Sequence, residues 1–182
     1  AGNAPDVAGL ELRLVATALK AVGGPLRVAL AGDVSARLLS ASGDGRAVAA
    51  WSSVTLFDGD VLQIGRPRGT AYLAVAGGIL TPEMLGSRST YARAGLGQSL
   101  APGERLPCAV FTGDLQRDWR AAGPLVHASG PIRVMSGPQL DHFSAAAREA
   151  FFGAAFVVTP AHDRMGLRLA GPPLQHLEDR KS

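Results

Sequence analysis

Leu10, Leu12 and Leu14 alternate with Glu11 and Arg13, the period of two expected of a strand with one buried face. Further short apolar runs follow at 26–30, 36–39, 54–56, 61–64 and 72–75. Turn formers separate them: Gly23-Gly24-Pro25, Gly32-Asp33, Ser42-Gly43-Asp44-Gly45, Asp58-Gly59-Asp60 and Arg66-Pro67. A turn signal about every 8–12 residues predicts a β-barrel or sandwich. Residues 15–22 are rich in Ala, Leu and Val, but Gly23-Gly24 cuts off any helix there, so the segment is read as a strand. Asp58-Gly59-Asp60 and Pro102-Gly103-Glu104 each set Gly before an acid at the start of an apolar stretch, and both are read as one hairpin device used twice.

From 114 to 130 the composition shifts towards Arg, Ala, Gly and Pro. The expected organisation is a first domain over 1–118, a linker over 119–130 and the opening of a second domain over 131–182. In the latter, 132–135 reads as a strand and Gly137-Pro138 as a turn. A helix follows, capped by Asp141 or Ser144, with Phe143, Ala147, Ala150 and Phe151 on one face and Gly153 at its end. A strand at 156–159, a turn around 160–163 and a strand at 167–169 complete the pattern. A piece of roughly 50 residues is near the size that needs outside support.

Composition narrows the class. With 182 residues, 47% of them apolar, the chain is globular and not disordered. At 5% aromatics its core rests on Ala, Val and Leu, and 23 glycines with 12 prolines favour short elements joined by turns over a long-helix bundle. The net charge is +3, yet only two of the 18 cations are lysines and the arginines are scattered, which argues against nucleic acid as a partner. The single Cys108 rules out an internal disulfide and any multi-cysteine metal site, and fits a reducing, cytoplasmic compartment. The apolar run 72–80 is nine residues, far short of the ~18 of a membrane span, so no membrane partner is expected. His127, His142, His162 and His176 lack the spacing of a zinc helix, and no P-loop is present, so no metal and no directly bound cofactor is expected. The chain opens on Ala1 with no initiator methionine, and a preceding segment is expected.

Three constellations carry candidate chemistry. In Ser87-Arg88-Ser89-Thr90, with Arg93 beyond, hydroxyls flank a guanidinium, a donor set suited to a carboxylate, phosphate or oxyanion. The plain alternative is a polar surface loop whose hydroxyls satisfy turn backbone. Gly137 and Gln139 stand where a strand is expected to pass into a helix, a position whose backbone N–H groups favour anions; an αβ turn is the alternative. Asp163 and Arg164, adjacent in sequence, would point to opposite sides of an extended chain, or form a surface ion pair.

In order, Tyr72-Leu-Ala-Val-Ala-Gly-Gly-Ile79, Leu85-Gly-Ser-Arg-Ser-Thr90, Val134-Met-Ser-Gly-Pro-Gln139 and Asp163-Arg-Met-Gly-Leu-Arg-Leu169 resemble the allophanate hydrolase subunit 2 family, also known as the biotin-dependent carboxyltransferase family or the family of the 5-oxoprolinase C subunit. The resemblance implies a mainly β chain: a cyclophilin-like β-barrel followed by part of a second one with one clear helix. It implies a companion of the allophanate hydrolase subunit 1 type, equivalent to the 5-oxoprolinase B subunit, and a small carboxylate or amide substrate. The activity implied is that of one component, inactive alone, of an ATP-dependent 5-oxoprolinase-type hydrolase, with ATP used by the assembled complex. A biotin-dependent carboxyltransferase like urea carboxylase, or a non-enzymatic regulatory protein, are the alternatives within the family. Arg88 and Ser89 are then the catalytic candidates, and Ser87, Thr90, Arg93, Gly137, Gln139, Asp163 and Arg164 the anion binders. Against the family pattern, the stretch at Gly97-Gln98-Ser99 is compressed, and an N-terminal segment and half of the second barrel are expected to be missing.

Overall fold

A computed structural model of the chain describes residues 1–97, 99–114, 117–122, 130–163 and 166–177. The chain divides into two compact units, Ala1–His127 and Ala128–Ser182.

The first unit holds β1 (Leu10–Arg13), β2 (Thr17–Lys20), β3 (Leu26–Ala31), β4 (Ala36–Leu39), β5 (Gly45–Val48), β6 (Ser52–Leu56), β7 (Val61–Ile64) and β8 (Thr70–Val75). They form two four-stranded sheets, β1-β8-β3-β6 and β2-β7-β4-β5, with every pairing antiparallel. Val28, Leu30, Val54, Leu56, Leu73 and Val75 of one sheet and Leu38, Val48, Leu62 and Ile64 of the other share a single core. The expected mainly β class is found. Among the described residues the ladders close no ring: the barrel takes the form of two sheets around one core.

The chain passes from one sheet to the other six times, and each crossing contains a residue with positive φ. Glycine serves at four of them, Gly23, Gly32, Gly59 and Gly69, whereas Leu14 (φ 66) and Trp51 (φ 62) serve at the others. Most side chains adopt that conformation only at a cost, so these corners store strain that the packed sheets on either side must offset. Leu14, expected to complete the first strand, is instead a corner and is 66% exposed. β5 has no counterpart among the expected strands: only Val48 of its four residues is buried, which erases the alternating signal.

The two Gly-acid turns are indeed one device. The Phe57 N–H donates to the Asp60 carboxylate (2.9 Å) and the Asp60 N–H to the Phe57 carbonyl (3.1 Å). The Ala101 N–H likewise donates to the Glu104 carboxylate (2.8 Å) and the Glu104 N–H to the Ala101 carbonyl (3.2 Å). Gly59 and Gly103 supply the left-handed residue, with φ 85 and 87.

A buried arginine ties the chain after Cys108 to the first sheet. Arg27 is 2% exposed, and its guanidinium donates to Asp118 Oδ1 (2.8 Å) and to the Asp114 carbonyl (2.7 Å) beneath the Phe111 ring. Trp119 then pairs with the free edge of β6, its N–H donating to Ser53 Oγ (2.8 Å) and its carbonyl accepting from the Ser53 N–H (2.7 Å). Covering an edge strand removes a template for unwanted pairing.

The second unit contains α1 (Ala145–Gly153), β9 (Val157–Asp163) and β10 (Gly166–Ala170). Of the two cap candidates it is Ser144 that accepts the Ala147 N–H (3.1 Å), while Asp141 lies in a short 3₁₀ turn, Leu140–His142. The strand expected at 132–135 is absent: no partner strand pairs with it among the described residues, and Ile132 and Met135 are 89% and 95% exposed. The turn expected at 160–163 is also corrected. β9 runs through Pro160 because the ladder is irregular there, between the pairs Leu169↔Val158 and Leu167↔His162. Such a bulge tolerates the missing proline N–H.

Candidate functional site

After β8 the chain leaves the sheets at Leu80 and returns at Pro107. The Leu80 N–H donates to the Pro107 carbonyl (2.7 Å), the Ala109 N–H to the Gly78 carbonyl (3.2 Å), and Ile79 faces Cys108. The Ser87–Arg93 candidates all lie within this clamped excursion, which is built from two miniature hairpins in succession.

In the first, Met84 and Ser87 exchange both backbone hydrogen bonds (2.8 and 3.1 Å) across Leu85-Gly86. Positive φ at both central residues, 53 and 75, makes this a two-residue hairpin turn of the primed kind. In the second, Tyr91 and Leu96 exchange backbone hydrogen bonds (2.7 and 3.2 Å) around the 3₁₀ turn Ala92–Ala94, closed by Gly95 in the left-handed region. The Gly97 N–H reaches Met84 Sδ (3.3 Å), stitching the hairpins together, and a Cβ at Gly97 would lie 3.0 Å from Thr90 Oγ1.

Ser87 Oγ accepts the Ser89 N–H (3.1 Å), so one of the three hydroxyls does serve turn backbone. Ser87, Arg88, Ser89 and Arg93 are exposed and Thr90 is half-buried, so the site is an open loop surface. Arg88 Nη2 lies 3.2 Å from Glu83 Oε1, with the Arg88 side chain 30% exposed. Glu83 is absent from the candidates that the sequence offers. Met84 opposite Ser87 makes Glu83 and Arg88 the next cross-strand pair outward, and the spacing alone shows this once Leu85-Gly86 is read as a turn.

The other candidates belong to the second unit. Gly137 and Gln139 are exposed, and the carbonyls of both close the short 3₁₀ turn (3.2 and 3.1 Å) instead of opening α1. Three residues of 3₁₀ helix lack the stacked N–H groups of an α-helical anion site. Asp163 ends β9 opposite Gly166, and Arg164 lies outside the described residues.

An open hollow of about 610 Å³ occurs elsewhere in the first unit, lined by Ala29, Ala31, Ala74, Trp51, Tyr72 and Trp119 among others, and by none of residues 87–93. Among the described residues no three His, Cys, Asp or Glu side chains gather as a metal site, and no helix is long and apolar enough to cross a membrane.

Two antiparallel sheets around one core, carrying a clamped loop with an exposed guanidinium and hydroxyls, define the first unit as a β module. The carboxyltransferase domain model, subdomain A and B, matches residues 1–182, and the chain belongs to that family. It is 34% identical over 131 residues to the C subunit of 5-oxoprolinase from Escherichia coli (strain K12), an alignment covering 68% of this chain and 41% of that protein. Among solved structures, TTHA0988 superposes with a TM-score of 0.78 at 29% identity, over 96% of this chain and 63% of that one. The urea carboxylase of Kluyveromyces lactis superposes with a TM-score of 0.71 at 26% identity, over 97% of this chain and 17% of that one. The chain thus spans less than half the length of the curated relative it matches.

Proposed function

We propose that this chain is part of one component of a multi-subunit, 5-oxoprolinase-type enzyme, and that its 87–93 loop holds the carboxylate or the developing oxyanion of a small lactam or amide substrate. The match to the 5-oxoprolinase C subunit carries the reading. The loop supplies suitable chemistry: a guanidinium fork at Arg88 for a carboxylate, and the Ser89 hydroxyl as a short donor beside it. Donors fixed in place before negative charge develops stabilise it without reorganising. ATP would be consumed by the assembled complex together with a companion of the 5-oxoprolinase B-subunit type.

A second reading, biotin-dependent carboxyl transfer, is favoured by the likeness to urea carboxylase. The same donors fit it, because a ureido oxygen gaining charge needs N–H and O–H groups of the Arg88 and Ser89 kind. Biotin, when bound, supplies the carboxyl-carrying chemistry; Arg88 and Ser89 would only hold negative charge. Co-expression with companion subunits, followed by an assay of ATP-dependent glutamate release from 5-oxoproline with and without avidin, separates the readings. Release insensitive to avidin supports lactam opening; an avidin-sensitive carboxylation supports the second reading. Neither activity, despite tight binding of a companion, would replace both with a regulatory role.

A further inference from the structure

The Glu83–Arg88 pair bears on which ligands this loop can accept. Its geometry is dictated by the turn: with Leu85 and Gly86 both left-handed and Met84 hydrogen-bonded to Ser87, residues 83 and 88 must face each other. Glu83 Oε1 at 3.2 Å from Arg88 Nη2 occupies one nitrogen of a fork that carries five N–H donors. The glutamate is thus a carboxylate already seated on the group proposed to bind the substrate's carboxylate.

We propose that Glu83 is a built-in competitor, a positioning residue that attenuates carboxylate binding by acting through Arg88. This rests on the reading of the loop as a carboxylate site. An incoming carboxylate that takes the Nη2 edge does not gain a new ion pair there; it exchanges with one. Because Glu83 is tethered two residues from the turn, its effective concentration at Arg88 is far above that of a dilute ligand. A simple monocarboxylate is therefore held weakly. A carboxylate with a second acceptor, such as a lactam carbonyl, meets the same penalty but also engages another donor of the loop. The penalty is small, since both partners are partly exposed, with side chains 30% and 57% accessible.

The test is a binding titration of the full chain with three probes: 5-oxoproline (carboxylate and lactam), acetate (carboxylate only) and 2-pyrrolidone (lactam only). In Glu83→Gln, 5-oxoproline and acetate should both bind about two- to fivefold more tightly, the range of an exposed ion pair, while 2-pyrrolidone is unchanged. Glu83→Ala should move in the same direction, and in Arg88→Ala the effect of Glu83→Gln should vanish. A structural defect would weaken binding, so the sign is diagnostic. Unchanged or weaker 5-oxoproline binding in Glu83→Gln, with binding lost in Arg88→Ala, overturns the competitor role and leaves the carboxylate site standing. Binding indifferent to Arg88→Ala, or absent from every variant, overturns both.

Discussion

Arg88 shows what a single side chain is asked to do in this molecule. It sits on a turn whose backbone is satisfied without it, and it pairs with the partly exposed Glu83. Arg88→Ala should therefore leave the melting temperature nearly unchanged. Under the proposed function it should lower turnover by the assembled complex about 100-fold, the scale of losing charge-assisted hydrogen bonds to an anion. Arg88→Lys should recover little of that, because an ammonium cannot reproduce the planar fork. Normal turnover by Arg88→Ala would remove this residue from the mechanism. The Ser-Arg-Ser-Thr run is legible in the sequence because charge and hydroxyls cluster in it. Its Glu83 partner is not, because leucine is a poor marker of a left-handed turn and conceals the register. Arg27 is equally hidden: a lone arginine between Leu26 and Val28 reads as an outward strand residue, yet it is buried and held by the later residues Phe111, Asp114 and Asp118.

The connections between elements decide whether the two sheets can form. At the corner between β3 and β4, Gly32 combines φ 117 with a close approach: a Cβ there would lie 2.8 Å from Ala71 Cα and 2.9 Å from the Thr70 carbonyl oxygen. Gly32→Ala should cost about 2 kcal/mol or more, read from denaturant unfolding, since neither φ nor the backbone of β8 can yield. By contrast Gly43→Ala, at a turn with open space around it, is penalised only for its φ of 97. At the β6 edge, Asp118 neutralises the buried Arg27 and also touches the exposed Arg46 (3.3 Å). Asp118→Asn should destabilise the first unit by about 1–3 kcal/mol, discounted from the loss of a fully buried pair because Asp118 is 45% exposed. Arg46→Ala should cost less than about 1 kcal/mol in the same melt. Equal effects from the two variants would contradict this division of roles. β8, with alternating burial, and β3, a short apolar run, are readable as elements. β5 and the continuation through Pro160 are not, because pairing partners fix them where local pattern does not.

For the molecule as a whole, Cys108 links stability to pH. Burial pushes the Cys108 thiol above its ordinary range. As pH climbs, the unfolded chain releases that proton first, so the folded form binds more protons and its stability falls. The contribution is intact at neutral pH and is lost as pH rises from the ordinary thiol range through the raised value. Unfolding of the native chain should thus steepen with pH above about 8.5, and Cys108→Ala should flatten that slope; identical slopes would show that Cys108 is not responsible. The excursion from Leu80 to Pro107 closes on itself at its base, so the exposed residues of its hairpins can be exchanged while Leu106, which packs on the core, is kept. Selection is then free to rewrite chemistry at the tip while the scaffold drifts at its own pace, and an engineer could transplant a relative's loop here as a cassette.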